Sequence, residues 1–417
     1  MNKHFEVIVV GAGASGLMAA GRLAELGAKV LLTEKMPQPA RKLRITGKGR
    51  CNLTNLVSMS EFIKHIGENG KKLRPVFSQF FSNDLIQFFE KLNVETVVER
   101  GERVFPKSEE AKEIVDSLLK WNKKNGVTLL CETEISNLIV KDNIIEGIKT
   151  VSGEIFLAKF VILATGGASY PATGSSGDGY KIAAAVGHKI ISVLPALVPL
   201  ETSDNIAEKL QGLSLKNVQV NVFHRNKKIA EQFGEMLFTH FGLSGPIILS
   251  LSRKIVNLIE KKEKIIFSID LKPALDEKTL DQRLLREFSE HNKMKLKSIL
   301  KNLLPASLIP VCAELCEISL EKFGFEITAD QRRKLRIFLK DFRFEISGHR
   351  GFKEAIITQG GIDISEVNLE TMESKKVKNL FFAGEILDFD ADTGGYNLQI
   401  AFSTGFVAAE SIFKMKN

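Results

Sequence analysis

His4–Lys35, HFEVIVVGAGASGLMAAGRLAELGAKVLLTEK, decides the fold. Val7-Ile8-Val9-Val10 is an uninterrupted β-branched run, the pattern of a strand buried on both faces. Gly11, Gly13 and Gly16 follow in G-x-G-x-x-G spacing, with Ala14 and Ser15 opening the segment behind them. Leu17, Ala20, Leu23, Ala24 and Leu26 recur at helical spacing, and Gly27 stands where such a helix would stop. A second apolar run, Lys29 to Thr33, ends at Glu34, with Lys35 beside it. The whole reads as a strand–turn–helix–strand unit that binds a dinucleotide. Gly11 permits the tight turn, Gly13 lets a pyrophosphate approach the backbone, and Gly16 lets helix and strand lie close. The helix N-terminus offers free N–H groups to phosphates, and Glu34 is placed to accept from ribose hydroxyls.

Four further segments carry polar or glycine-rich chemistry. Arg41–Asn55, RKLRITGKGRCNLTN, contains Arg41, Lys42, Thr46, Gly47, Gly49, Arg50, Cys51 and Asn52. Its apolar residues are too scattered for a core strand or an amphipathic helix, so it is expected as a loop running along an extended cofactor. Phe160 to Ala164 reads as a buried strand running into Thr165-Gly166-Gly167, at the strand end where α/β sheets bind ligands. Gly234–Pro246, GEMLFTHFGLSGP, carries His240. Leu380 to Ala383 reads as a strand entering Gly384-Glu385, followed by a loop from Asp388 to Gly395 and a helix from Tyr396 that begins with Asn397 and Leu398.

The chain has 417 residues, 44% hydrophobic and 26% charged, ordinary for a globular protein of two or three domains. Net charge is +8, which permits an anionic partner without requiring one. The apolar N-terminal run is accounted for as a core strand rather than a signal peptide, and no run reaches the roughly 18–20 residues of a membrane span. Four cysteines with no C-x-x-C pair point to the cytoplasm, and Cys312 and Cys316 read as buried helix neighbours rather than metal ligands.

Val127–Cys131, Ile135–Val140 and Ile144–Thr150 read as a small β-meander. Pro195 and Pro199 mark a change of character, after which alternating runs such as Val218–Val222 and Ile265–Ile269 predict antiparallel strands. Residues 274–345 read as charged helices. In Gln331–Phe342, Leu335, Phe338, Leu339 and Phe342 oppose Arg332, Arg333, Arg336 and Lys340; Lys293, Lys295, Lys297 and Lys301 form a second basic cluster. The expected organisation is a cofactor domain over 1–190 and 346–417, interrupted by a β-rich insert over 191–273 and a helical subdomain over 274–345.

Taken together, VIVVGAGASGLMAA, RKLRITGKGRCNLTN, ILATGG, GEMLFTHFGLSGP and GEILDFDADTGGYNLQIAFSTG resemble the HI0933-like (YhiN/BaiN-type) flavoprotein family over nearly the whole chain. Ala40 and Lys48 depart from that pattern, each standing where glycine is common. The resemblance implies an α/β FAD-binding Rossmann-like domain of the glutathione-reductase type, with an inserted antiparallel β domain and a helical subdomain. It implies FAD held by the glycine turn and Glu34 at one end. At the other end Glu385 would meet the ribityl hydroxyls, and the helix opening at Gly394–Leu398 would face the flavin edge. Ile135 is expected to contact adenine through its backbone. No second G-x-G-x-x-G occurs, so NAD(P)H is expected only as a transient reductant.

The function implied is reduction of a C=C bond conjugated to a carbonyl, with uridine in ribosomal RNA as one candidate substrate. RNA would then meet the basic face of Arg332, Arg333, Arg336 and Lys340. Cys51, His240 and Tyr396 are candidate proton donors. A small-molecule flavin oxidase or dehydrogenase, and an RNA-binding protein with structural FAD, are the competing classes.

Overall fold

The computed structural model describes residues 4–416 and divides into two compact units, Met1–Pro195 with Ala355–Asn417, and Ala196–Glu354. In the first unit the strand His4–Val10 pairs in parallel with Val30–Thr33 on one side and Ile155–Leu163 on the other. Leu380–Phe382, from the far end of the chain, pairs in parallel with Val161–Leu163. Thr128–Leu130 continues the parallel sheet beyond Val30–Thr33, so it leaves the expected meander, which consists of Ile135–Lys141, Ile144–Thr150 and Ile155–Leu163. Short apolar runs of three residues fit either setting, and only the neighbouring strand decides.

Because these central strands are parallel, their carboxyl ends share one edge. Gly11, Glu34, Ala164-Thr165-Gly166 and Ala383-Gly384-Glu385 each follow one of those ends. Motifs scattered along the sequence thus meet on one edge. The helix Ala14–Glu25 lies close on its strand; a Cβ at Gly16 would stand 1.8 Å from the Gly11 carbonyl oxygen, so no larger residue fits. The last helix, Tyr396–Lys416, packs on Ala14–Glu25 and is tied to it by Arg22 Nε donating to Glu410 at 2.7 Å.

The chain leaves this unit along Ile190–Ala196 and returns along Ile357–Ile362, which are neighbours in a two-stranded sheet. Adjacent ends are what lets a long insertion be tolerated. The second unit is built on a closed six-stranded barrel of Leu200–Thr202, Ser214–His224, Lys227–Thr239, Gly242–Ser244, Ile265–Asp270 and Phe342–His349. Val218, Val220 and Val222 are buried while Gln219 and Asn221 are only partly covered, the alternation their sequence shows. The last barrel strand follows the helices Glu277–Glu290, Leu308–Cys316 and Ala329–Lys340. Barrel and helices share one hydrophobic core, so residue 273 falls inside a single folded unit. Cys312 and Cys316 are buried in it.

The basic face of Ala329–Lys340 is not the free surface that its helical spacing suggests. Arg332 Nε donates to Asp281 at 3.1 Å, and Arg336 lies 3.6 Å from the same carboxylate and 3.8 Å from Glu277. Lys340 pairs with Asp270 and donates to the carbonyl of Leu275 at 2.7 Å. Arg333 is exposed and paired with Asp330 at 3.2 Å. The helix Glu277–Glu290 supplies acids to this side, so the face is largely neutralised. No helix among the described residues is long and apolar enough to cross a membrane.

Candidate functional site

At the first glycine turn, Gly13 precedes the helix Ala14–Glu25 and no side chain caps its first N–H groups. The first intrahelical bond is Leu17 N–H to Gly13 O, leaving the N–H groups of Ala14, Ser15 and Gly16 directed out of the helix end. A Cβ added at Gly13 would meet nothing within 4 Å. The buried hydroxyl of Thr165 has no partner. An uncapped helix end facing open space suits the pyrophosphate of FAD. Glu34 accepts from the N–H of Ala12 and of Met36, each at 3.0 Å, which fixes its carboxylate beside the turn. Thr133 N–H donates to the Glu34 carbonyl at 2.9 Å, so the segment entering Ile135 runs alongside. Lys35 is tied to Ser176 and Asp178.

A polar hub joins four distant segments. Lys42 Nζ donates to Ser169 Oγ and to Glu385 Oε2, both at 2.7 Å. Glu385 Oε1 accepts from Ser169 Oγ at 2.9 Å and from Thr358 N–H at 2.8 Å. Thr358 Oγ1 in turn accepts from the N–H of Ala168 at 2.8 Å and of Ser169 at 3.1 Å. Ser169 and Thr358 are fully buried, and the Lys42–Glu385 pair keeps about a fifth of its side-chain surface. Gly384 N–H donates to Thr404 in the last helix at 2.9 Å. Ser169 and Thr358 were not among the residues expected; each is a lone polar residue with no local pattern to mark it.

The third part is the loop Asp388–Gly395. Asn397 holds it from below, accepting from Ala391 N–H and donating to Ala391 O, each at 2.9 Å, and donating to Asp392 O at 3.2 Å. Asn52, with its amide turned to satisfy its neighbours, accepts from Gly395 N–H at 3.1 Å and donates to Val104 O and Thr54 O. Asn55 donates to Gly394 O at 3.2 Å. Asn69 donates to Asp388 Oδ2 at 3.0 Å. Burial and the nearby Asp390 push the Asp388 carboxyl up to about 6. Gln399 N–H makes the first bond of the last helix, to Gly395 O, so the N–H groups of Tyr396, Asn397 and Leu398 point out of its start.

Arg41–Ile45 forms one turn of helix within the expected loop, with only Leu43 buried. Ala40 before it has φ 58°, and Lys48 has φ 59°, so both positions where glycine is common adopt the left-handed conformation. Thr46 Oγ1 donates to Leu43 O at 2.7 Å, and Gly47 and Gly49 flank Lys48. The Arg41 guanidinium pairs with no described residue. Arg50 is committed to Glu99 and Glu109 and lies over the Phe105 ring at 4.3 Å.

The three candidate proton donors lie in different settings. Cys51 is fully buried, bonded to Thr46, and burial pushes its thiol up to about 12. Tyr396 is buried, its ring stacked on His65 at 4.5 Å and edge-on to Phe62 at 4.7 Å; burial, then Asp392, pushes its phenol up to about 12. His65 Nδ1 lies 3.1 Å from Asp392 Oδ2. His65 and Asp392 were not expected, and no motif marks His65. His240 belongs to the second unit, exposed at a turn with its ring edge-on to Phe241.

Comparison with known proteins agrees with this geometry. The chain is 30% identical over 416 residues to a ribosomal RNA dihydrouridine synthase of Escherichia coli, covering 100% of both chains. It is 30% identical to a 3-dehydro-bile acid delta(4,6)-reductase of Clostridium scindens, covering 97% of this chain and 98% of the relative. Its fold resembles that of a 3-ketosteroid delta1-dehydrogenase from Sterolibacterium denitrificans, with a TM-score of 0.52 at 12% identity, covering 99% and 100% of the two chains. The model of the HI0933-like protein Rossmann domain matches residues 5–411. With an α/β sheet whose strand ends carry a dinucleotide turn suited to FAD, the chain belongs to the HI0933-like family and is an FAD-dependent oxidoreductase.

Proposed function

We propose that this protein reduces a C=C bond conjugated to a carbonyl, and that the C5=C6 bond of uracil in ribosomal RNA is the substrate to test first. The observation that carries the reading is a pair of full-length relatives at the same 30% identity, named for an RNA base in one case and a bile acid in the other. Their substrates differ, and a reduced conjugated C=C bond is what the two names have in common.

Bound flavin, once reduced, would supply the hydride for such a reduction, with NAD(P)H as the proposed transient reductant that reduces it. The chain's own residues hold and orient it. The N–H groups at Gly13–Gly16 meet the pyrophosphate, and Glu34 the adenosine ribose. Ile135 would meet the adenine, and Ala164, Thr165 and Gly166, at the end of the neighbouring strand, would line the cofactor edge. Lys42 and Glu385 fix the middle, and Arg41 offers an uncommitted cation. The N–H groups of Tyr396, Asn397 and Leu398, backed by the helix dipole, favour negative charge at the flavin edge. Tyr396 is the proposed proton donor. Its phenol stays protonated at neutral pH, and stacking on His65 fixes its ring. Cys51, sealed in the interior and bonded to Thr46, is the weaker candidate.

The experiment is anaerobic reduction of the holoprotein followed by mixing with uridine-containing rRNA fragments, unsaturated steroid acids or simple enones, while flavin absorbance near 450 nm is recorded. Reoxidation coupled to loss of the double bond by mass spectrometry supports the reading. Reoxidation by oxygen alone favours an oxidase and overturns it.

A further inference from the structure

In the second unit, Asn292–Lys297 and Leu320–Phe325 run side by side. Lys295 and Phe323 form an antiparallel bridge. Gly324 N–H donates to Met294 O at 3.0 Å, Phe325 N–H to Asn292 O at 3.2 Å, and Leu296 N–H to Lys322 O at 2.7 Å. Two large aromatic rings are left outside. Phe325 is 69% exposed and Phe323 38%, and their rings lie parallel within 5°, centroids 5.8 Å apart. A phenylalanine with two thirds of its surface in water gains little from the hydrophobic effect in this state. The backbone beneath is set: Glu326 accepts from Phe323 N–H at 2.6 Å, and a Cβ at Gly324 would stand 2.9 Å from the Phe288 carbonyl oxygen.

Lys293 and Lys295 stand on the segment paired with Phe323–Phe325, and Lys297 follows on the same segment. Lys293, Lys295, Lys297 and Lys301 are all exposed, and of these only Lys295 has an acid partner, Glu321. Lys297 shares the field of Glu321, while Lys293 and Lys301 make no side-chain hydrogen bond or ion pair among the described residues. Nearby Glu317 is taken by Lys334. The patch therefore combines parallel exposed π-faces with lysines that outnumber the one acid facing them, Glu321. A neutral protein partner would bury the rings and leave these lysines without counter-charge. A single strand of nucleic acid supplies both partners, bases for the rings and phosphates for the lysines. A duplex keeps its bases stacked inside and offers only the phosphates.

We propose that Phe323, Phe325 and the lysines 293, 297 and 301 form a docking surface for an unpaired RNA segment. The choice of RNA rests on the proposed function, in which the reduced base is part of an RNA. The surface is separate in sequence from every flavin motif, so failure of the surface and failure of the reaction can be told apart.

The test is fluorescence anisotropy of the FAD-loaded, full-length protein with a labelled 20-nucleotide single-stranded RNA, with the matching duplex and anionic phosphatidylglycerol vesicles as competitors. Phe323→Ala and Phe325→Ala are each expected to weaken single-strand binding about tenfold. Lys293→Gln, Lys297→Gln and Lys301→Gln together should lower the slope of log Kd against log salt by about 2. Flavin content and reoxidation by a free small enone should not change in either set. Unaltered RNA binding in both sets overturns the surface, as does absence of RNA binding, equal binding of duplex, or preferential capture by the vesicles. Intact, variant-sensitive RNA binding without any uracil reduction would instead retire the proposed reaction and leave the surface standing.

Discussion

Asn52 and Gly395 are joined by a hydrogen bond of 3.1 Å from the Gly395 N–H to the Asn52 side-chain oxygen, which ties the RCNLTN segment to the loop opening the last helix. Gly395 has φ 96°, and a Cβ there would stand 2.4 Å from the Thr54 carbonyl oxygen. Gly395→Ala should therefore cost about 2–4 kcal/mol, from left-handed strain together with a backbone clash. Purified variant protein should show a lower 450 to 280 nm absorbance ratio and an earlier melt. Wild-type flavin content with an unchanged melt would mean that the loop is not held at this point.

The Lys42–Glu385 pair sits on a hub with Ser169 and Thr358 and should act as a unit. Glu385→Gln and Lys42→Met are each expected to weaken FAD binding, and the double variant should lose less than the sum of the two. A coupling of roughly 0.5–3 kcal/mol is expected for side chains in direct contact within one network. Titration of apoprotein with FAD measures it, and strict additivity would show that the pair is incidental to the cofactor.

The two ends of this chain differ in how openly they state their structure. The unit from His4 to Glu34 is legible because its signals are local: a β-branched run, glycines at fixed offsets and a helical apolar period lie within thirty-odd residues. Lys42 and Glu385 stand in motifs, but their joining with Ser169 and Thr358 in one hub is not legible. Lys42, Ser169, Thr358 and Glu385 come from four segments, and a single polar residue in each carries no periodicity. The basic helix misled for a related reason. Spacing identifies which side of Ala329–Lys340 is apolar, but not that Asp281 and Glu277 of another helix cover the other side. The helix that Asn397 opens was legible in the sequence, whereas the clamp of Asn397 on Ala391 and Asp392 depends on the path of the preceding loop.

His188 gives a pH-dependent test of the first unit's packing. It is buried, with Nε2 2.9 Å from Ser374 Oγ and Nδ1 3.2 Å from Glu366. Burial lowers its pKa, outweighing the opposing pull of Glu366. The fold therefore prefers the neutral ring. The stability this contributes is fully present above the ordinary value of about 6.5 and is lost as pH falls through the lowered folded value. Melting temperature should fall with acid below about pH 6.5, with a slope of at most about 1.4 kcal/mol per pH unit from this residue. His188→Gln should flatten that part of the profile; an identical acid slope in the variant would assign the loss to other groups.

Asp388 works with the opposite sign. Burial, Asp390 and Asp363 push its carboxyl up to about 6, against the help of Asn69 and Lys72. Above that pH the group is ionised at a cost, so its contribution is unfavourable at neutral pH and vanishes in acid, where it is protonated in both states. Discounted for the solvent that still reaches it, the cost is about 1–2 kcal/mol at pH 8. Asp388→Asn keeps a side-chain oxygen for the Asn69 bond and removes the charge. It should raise the melting temperature at pH 8 and leave it nearly unchanged at pH 4. Retaining such a residue against stability is expected where a site uses it. The same variant should therefore weaken FAD binding or shift the flavin potential, and wild-type values of both would remove Asp388 from the cofactor site while leaving the stability argument in force.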